Sequence, residues 1–105
     1  MVHVFALYKA HPGMRAKVFE ILRANTPAVK AEPGCIEYFA SVDAKDAPGL
    51  QTPMGEDGFI VYECWADMAA FNAHANAPHV ITYRDNTRAL IAMRTVHVMS
   101  RNDLT

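Results

Sequence analysis

The sequence predicts one α+β domain with the element order strand, helix, strand, strand, helix, strand, which most simply folds as a ferredoxin-like βαββαβ sandwich. Three observations lead to this fold class. Short β-branched and aromatic segments alternate with segments of helical period. The length of 105 residues fits a single domain spanning residues 1–105. Hydrophobic residues at 51% and charged residues at 20% are typical of a globular protein.

The first third of the chain predicts a strand followed by a helix. The segment from Val2 to Lys9 is β-branched and aromatic and ends at the turn signal of residues 11–13, His-Pro-Gly. From Met14 onward, apolar residues recur at helical spacing while charged residues occupy the other face. Pro27 lacks a backbone N–H and is expected to kink or break this helix. The Glu-Pro-Gly sequence at 32–34 should then end it.

Two further strands flank a long loop. Cys35 to Val42 has the alternating character of a strand, and Phe59 to Trp65 is a third strand. The segment between them, Asp43 to Gly58, is rich in Pro, Gly, Asp and Ala and has no apolar period. Loops of this length in small domains are often lids or binding segments. Asp67 then suits the N-cap of a short helix from Met68 to about Ala75.

The last elements are a helix that begins near Pro78, a residue that suits a first helical turn, and a strand within Met93 to Arg101. Both faces of the first strand are largely apolar, because His3, Phe5 and Leu7 alternate with Val4, Ala6 and Tyr8. The predicted helices can cover only one face of the sheet. The other face therefore predicts a partner sheet, which makes the protein a homodimer.

Composition excludes several classes of protein. Ten basic residues against eleven acidic residues, a net charge of −1, leave no basic patch for nucleic acid. No apolar run is long enough for a membrane helix, and the first residues lack the features of a signal peptide, so the cytoplasm is the expected location. Cys35 and Cys64 are too few for a disulfide scaffold and are expected to be buried free thiols.

Common catalytic motifs are also absent. The sequence contains no phosphate-binding glycine loop, no H-E-x-x-H and no G-x-S-x-G, and its two serines lack the context of a nucleophile. His74 and His79 are five residues apart across a predicted helix break, with Glu63 and His97 elsewhere, and this spacing does not match a metal-binding pair. These residues therefore give no support for a bound metal ion or for a nucleotide cofactor.

What remains is a group of aromatic residues and histidines. Phe71 and His74 should share one helix face, since residues three apart are neighbours. His74 could be a neutral base near pH 7 or a core histidine bonded to a backbone carbonyl. His79, in a first helical turn, could contact a ligand or be exposed. The aromatic residues Trp65, Phe71, Tyr38 and Tyr83 could line a pocket for a small aromatic ligand or form ordinary core.

The sequence around these residues resembles the antibiotic biosynthesis monooxygenase (ABM) family of dimeric α/β barrels. The resemblance rests on Glu-Pro-Gly-Cys at 32–35, Glu-Cys-Trp at 63–65 and the H-x-x-x-P-H segment from His74 to His79, and the element order agrees over nearly the whole chain. The long loop before the third strand resembles the corresponding loop in the bacterial quinol monooxygenase branch of this family.

The resemblance implies oxygenation or oxidation of quinol-like substrates by O₂ without metal, flavin or haem. His74 would then be the general base, Trp65 and Phe71 would flank the substrate ring, and Tyr38 could hydrogen-bond one substrate oxygen. His79 and Tyr83 complete the expected substrate-binding set. The chain departs from the family where some members carry an asparagine before the tryptophan, a position near Val61 here.

Two other functions remain open at this point. One is an isomerase or degradative enzyme for a small carbonyl signal molecule, which would use His74 and His79 for proton transfer without O₂. The other is a non-catalytic dimer that binds a small ligand, because a fold does not fix a function.

Overall fold

A four-stranded antiparallel sheet organises the computed structural model, which describes residues 1–104. Helices cover one face of this sheet. Along the chain the elements are β1 (Val2–Ala10), α1 (Arg15–Lys30), β2 (Cys35–Ser41), β3 (Gly58–Trp65), α2 (Met68–Ala75), α3 (Pro78–Thr87), a 3₁₀ turn (Arg88–Leu90) and β4 (Ile91–Ser100). The strand order is β2-β3-β1-β4. The predicted ferredoxin-like element order is confirmed, with the second helical segment divided into α2 and α3.

The central strand β1 separates two different surfaces. Val4 and Ala6 point toward the helices and are almost completely buried. Phe5 points to the opposite face, where it remains 39% exposed and contacts Tyr62 of β3. Phe5 is paired with Tyr62 on one side and with His97 of β4 on the other. The face opposite the helices, called the open face below, is therefore apolar and uncovered in the single chain.

Of the kink or break predicted at Pro27, the break is wrong, because α1 continues through this residue to Lys30. A proline in a helix interior leaves the carbonyl four residues earlier without its N–H donor. Here that carbonyl belongs to Arg23, and both Arg23 and Pro27 are solvent-exposed, so water can hydrate it. Val29 is fully buried after the proline, and its packing favours continuation of the helix.

The turn after α1 brings the helix end against α2. Gly34 has φ of +84°, and a Cβ atom at this position would lie 2.6 Å from the Cβ of Ala70. Any side chain would therefore force α2 away from the turn. The Gly34 carbonyl also accepts a hydrogen bond from Ala66 N at 2.8 Å. This close approach holds Glu32, two residues earlier, beside the C-terminal half of α2.

Local capping signals position the remaining helices. The Asp67 side chain accepts a hydrogen bond from Ala70 N at 2.8 Å, which confirms the predicted N-cap of α2. Pro78 lies in the first turn of α3, as predicted. The last strand begins at Ile91, two residues before the start predicted from sequence. Both cysteines are free; Cys64 is buried and Cys35 is partly exposed.

The long loop is held together by one carboxylate. Asp43 accepts hydrogen bonds from the backbone N–H groups of Met54 and Gly55, each at 2.9 Å. These bonds hold the pKa of Asp43 below its ordinary value. No helix within residues 1–104 is long and apolar enough to span a membrane.

Candidate functional site

A cavity of about 130 Å³ lies between the helix-covered face of the sheet and helices α1, α2 and α3. We call it the inner cavity. Part of its wall is apolar, from Val4, Ala6, Phe71 and Val80. Polar side chains also line it, from Asn25, Tyr38, Glu63, His74 and Tyr83. An apolar cavity of roughly 150 Å³ is known to hold benzene, so the inner cavity is about the size of one aromatic ring.

His74 lies at the centre of the aromatic group predicted from the sequence. Its ring is 4.6 Å from the Trp65 ring, 6.0 Å from the Tyr38 ring and 6.4 Å from the Phe71 ring, measured between centroids. The residue is only 6% exposed. Phe71 and His74 both line the inner cavity, which confirms that they share a helix face.

Two glutamates flank the His74 imidazole. Its Nδ1 is 2.8 Å from Glu32 Oε2, and its Nε2 is 3.5 Å from Glu63 Oε1. The alternative expectation was a core histidine bonded to a backbone carbonyl. The observed partner of Nδ1 is instead the carboxylate of Glu32. A carboxylate oxygen can only accept, so the contact with Glu32 favours the tautomer that carries its hydrogen on Nδ1 and leaves Nε2 facing Glu63.

The same Glu32 oxygen has a second histidine partner. His79 Nε2 is 3.0 Å from Glu32 Oε2, so one carboxylate oxygen bridges the two histidines. The His79 side chain is 32% exposed and is not among the residues that line the inner cavity. His79 is thus placed to hold Glu32 in position, and through Glu32 the orientation of His74.

Glu63 is a buried carboxyl group that faces the inner cavity. It is 8% exposed, and its Oε1 accepts a hydrogen bond from Trp65 Nε1 at 2.9 Å. Burial raises the pKa of Glu63 above its ordinary value, while the Trp65 hydrogen bond and the His74 ring partly oppose that shift. Glu63 and His74 Nε2 therefore form an acid–base pair at the cavity wall.

Trp65 contacts both members of the Glu63–His74 pair. Its side chain is completely buried and is not among the residues that line the inner cavity. The expectation that Trp65 would flank a substrate ring is therefore not matched by its position. Its indole instead contacts the His74 ring and donates a hydrogen bond to Glu63.

The two tyrosines predicted for the site both line the inner cavity. Burial raises the pKa of Tyr38 and of Tyr83 well above the ordinary tyrosine value. Both hydroxyl groups therefore keep their protons at neutral pH and are available as hydrogen-bond donors.

Asn25 was not predicted from the sequence. It lies on α1 and lines the inner cavity, and its Nδ2 is the single buried side-chain nitrogen or oxygen in residues 1–104 that has no hydrogen-bond partner. A buried donor without a partner costs about 1–3 kcal/mol. A ligand oxygen in the inner cavity would remove that cost.

The long loop does not contribute to this site. None of residues 43–57 lines the inner cavity, so the expectation of a lid or binding segment is not matched by its position. Within residues 1–104, no group of three or more His, Cys, Asp or Glu side chains is arranged to hold a metal ion.

Replacing Glu63 with glutamine is expected to raise the melting temperature at pH 8 by a few degrees. The raised Glu63 pKa means that the ionised form destabilises the fold, an effect that develops as pH rises from about 4.5 through the raised folded-state value. The amide oxygen can still accept the Trp65 hydrogen bond. Thermal unfolding at pH 4 and pH 8 measures the effect, and the gain should shrink toward zero at pH 4.

Glu20→Gln is the matched control, because Glu20 is exposed on α1 and its substitution should leave the melting temperature unchanged. A lower melting temperature for Glu63→Gln than for the parent at pH 8 would contradict the destabilising role of the buried charge.

The amino-acid sequence of this chain is similar to known proteins. A sequence model described as "Antibiotic biosynthesis monooxygenase" matches residues 1–86. The chain is 26% identical over 101 residues to the "Probable quinol monooxygenase YgiN" of Escherichia coli strain K12, and the match covers 94% of this chain and 96% of that protein.

Solved structures give the same picture of the fold. PA3566 from Pseudomonas aeruginosa has a TM-score of 0.79 at 25% identity, over 97% of this chain and 94% of that one. Rv0793 from Mycobacterium tuberculosis has a TM-score of 0.80 at 23% identity, over 97% of this chain and 95% of that one. The whole βαββαβ arrangement is therefore shared with these proteins.

Proposed function

The chain belongs to the antibiotic biosynthesis monooxygenase family, and from this premise we propose that it oxidises a quinol-like small aromatic with O₂, using no metal, flavin or haem. The family and the match to a probable quinol monooxygenase support a monooxygenase-like role. The observation that carries the finer proposal is the Glu63–His74 pair at the wall of a cavity about the size of one ring.

The first step is removal of a proton from a phenolic hydroxyl group. A phenol of pKa about 10 must give its proton to an imidazole whose free pKa is about 6.5, so the transfer is uphill by about 5 kcal/mol before the site contributes. His74 Nε2 is the proton acceptor, with Nδ1–H fixed on Glu32. Positive charge from Arg84 and Arg94, which also line the inner cavity, favours the phenolate that forms.

The other side chains hold the ring. Phe71 contacts one face of the substrate, and the protonated hydroxyl groups of Tyr38 and Tyr83 donate hydrogen bonds to its oxygens. Asn25 Nδ2 supplies a further donor. Trp65 and His79 act indirectly, by holding Glu63 and Glu32 in place.

The phenolate then gives electrons to O₂ directly. Two balanced outcomes are open to a quinol. In monooxygenation, one oxygen atom enters the ring and the products are a hydroxyquinone and water. In oxidation without insertion, the products are a quinone and hydrogen peroxide. Each outcome consumes one O₂ per quinol, and the substrate supplies all the electrons.

Oxygen uptake by metal-stripped protein over a panel of quinols tests this function. We expect uptake above the uncatalysed rate for at least one quinol, with one O₂ consumed per substrate; the hydrogen peroxide yield separates the two outcomes. If no quinol drives uptake above the uncatalysed rate, the proposed activity is lost. Activity on a small carbonyl compound without O₂ would then favour the isomerase.

We also propose that the protein is a homodimer joined through the open face. Phe39 and Tyr62 contact each other there with ring centroids 5.4 Å apart, and Phe39 is 46% exposed in the single chain. Exposed aromatic groups of this kind are typical of an interface. Sedimentation velocity should give the mass of a dimer, whereas a stable monomer at micromolar concentration would contradict the proposal. A cytoplasmic location stays a prediction.

A further inference from the structure

A second depression, which we call the outer groove, continues from the inner cavity toward the start of β4. Its volume is about 370 Å³. Four residues line both spaces, namely Tyr8, Tyr83, Arg84 and Arg94. The inner cavity and the outer groove are therefore adjacent, so a ring-sized space lies next to a wider one.

The outer groove carries a concentration of positive charge. Arg84, Arg88 and Arg94 line it, and none of its lining residues is acidic. The chain as a whole has a net charge of −1, so this positive charge is local. A neutral quinol would engage Arg84 and Arg94 only once its phenolate forms, whereas a substrate with a permanent negative charge would engage the arginines on binding.

Two of these arginines keep donor capacity for a ligand. Arg88 pairs with Asp85 at 3.0 Å, and both side chains are more than half exposed. The ion pairs found among residues 1–104 include neither Arg84 nor Arg94. Arg84 Nη2 donates to the Ala75 carbonyl at 2.9 Å, and Arg94 Nε makes a long contact of 3.5 Å with the Tyr8 hydroxyl. Each guanidinium has five N–H donors, so most of them remain available.

We propose that the substrate is a hydroxyarene that carries a carboxylate, with its ring in the inner cavity and its carboxylate bound by Arg84 and Arg94 in the outer groove. This inference rests on the proposed function and narrows its substrate class. A guanidinium group matches a carboxylate through two parallel hydrogen bonds, which a neutral group cannot reproduce. Ile91 adds an apolar residue to the lining of the outer groove, for the atoms between ring and carboxylate.

Binding of an unreactive acid tests the proposal without requiring turnover. The probes are 3-(4-hydroxyphenyl)propanoate and its primary amide, which have nearly the same shape and differ in charge. Isothermal titration calorimetry on the full chain should give at least about tenfold tighter binding of the acid, as expected for charge-assisted hydrogen bonds. The preference should weaken as salt concentration rises, because the arginines are partly open to solvent.

The variant Arg94→Gln should lose most of the preference for the acid, and Arg94→Lys should keep part of it. Arg84→Gln should act in the same direction, although it also removes the bond to Ala75. The matched control is Arg23→Gln, an exposed arginine on α1 away from the outer groove, which should keep the parent's preference. Circular dichroism confirms that each variant is folded.

Equal affinity for acid and amide in the parent, or a preference that survives both Arg84→Gln and Arg94→Gln, would overturn the proposal. Failure of the proposed function gives a different pattern. In that case the acid still binds through the arginines while no quinol drives O₂ uptake. Conversely, if neutral quinols are oxidised and the acid is not preferred, the activity stands and the carboxylate subsite is lost.

Discussion

Replacing His74 with alanine is expected to lower kcat for O₂-dependent quinol oxidation about 100-fold or more, the usual loss when a general base is removed. His74 Nε2 is the exchangeable nitrogen at the cavity wall, and the variant leaves Glu63 without the ring that faces it at 3.5 Å. Steady-state O₂ uptake measures the effect. The matched control is His11→Ala, an exposed histidine in the turn after β1, which should keep the parent's kcat.

Chemical rescue separates a lost base from a damaged fold. The alanine variant leaves a gap the size of an imidazole, and added imidazole should restore part of its rate while leaving the rate of the His11→Ala control unchanged. If the folded His74→Ala variant kept the parent's kcat, His74 would not be the general base, and Glu63 would be the remaining candidate.

The largest expected effect on stability comes from Trp65. Its side chain is completely buried, so Trp65→Ala should lower the free energy of unfolding by about 3–5 kcal/mol through lost burial and the cavity that remains. Since domains of this kind are stable by about 5–15 kcal/mol, much of the protein's stability would be lost. Urea unfolding followed by circular dichroism measures the effect, with Leu50→Ala, at an 88% exposed position, as the control.

Trp65→Phe tests the hydrogen bond from Trp65 to Glu63 separately from the burial of the side chain. Phenylalanine keeps an aromatic ring against His74 but has no N–H to donate to Glu63. That hydrogen bond lowers the Glu63 pKa, so its loss should raise the pKa further. If the Glu63–His74 pair must lose a proton before it can act, the pH profile of kcat should move to higher pH. An unchanged pH profile of kcat would show that the protonation state of Glu63 does not control the rate-determining step.

The elements of the fold could be predicted because each has a local signal. Period-2 segments, helical spacing and the Asp67 cap all act within a few residues of the chain. A kink or a break was predicted at Pro27, and the helix does not break there because the burial of Val29, a tertiary effect, outweighs the local cost of an exposed proline. The sequence at Pro27 contains no information about what packs against the next turn.

The site was only partly predictable for the same reason. Glu63 does have a sequence signal, since it falls at i+4 and i+2 from Phe59 and Val61 on the buried face of β3, where a charged residue is unusual. Glu32 opens the Glu-Pro-Gly-Cys motif, but the motif does not reveal its contact with His74, which is 42 residues away. Asn25 likewise looks like an ordinary polar residue of an amphipathic helix until the cavity beside it is known.

The alternation along β1 makes the length of that strand critical for two properties at once. Val4 and Ala6 form part of the cavity wall, while Phe5 between them belongs to the open face. An inserted or deleted residue would exchange the two sets, since side chains alternate strictly along a strand. Length variation among natural or engineered variants should therefore be tolerated in the loop at 42–57 and rejected in β1. In a screen of single-residue insertions, an insertion in β1 should abolish both catalysis and dimer assembly. Point substitutions, in contrast, can alter these two properties one at a time.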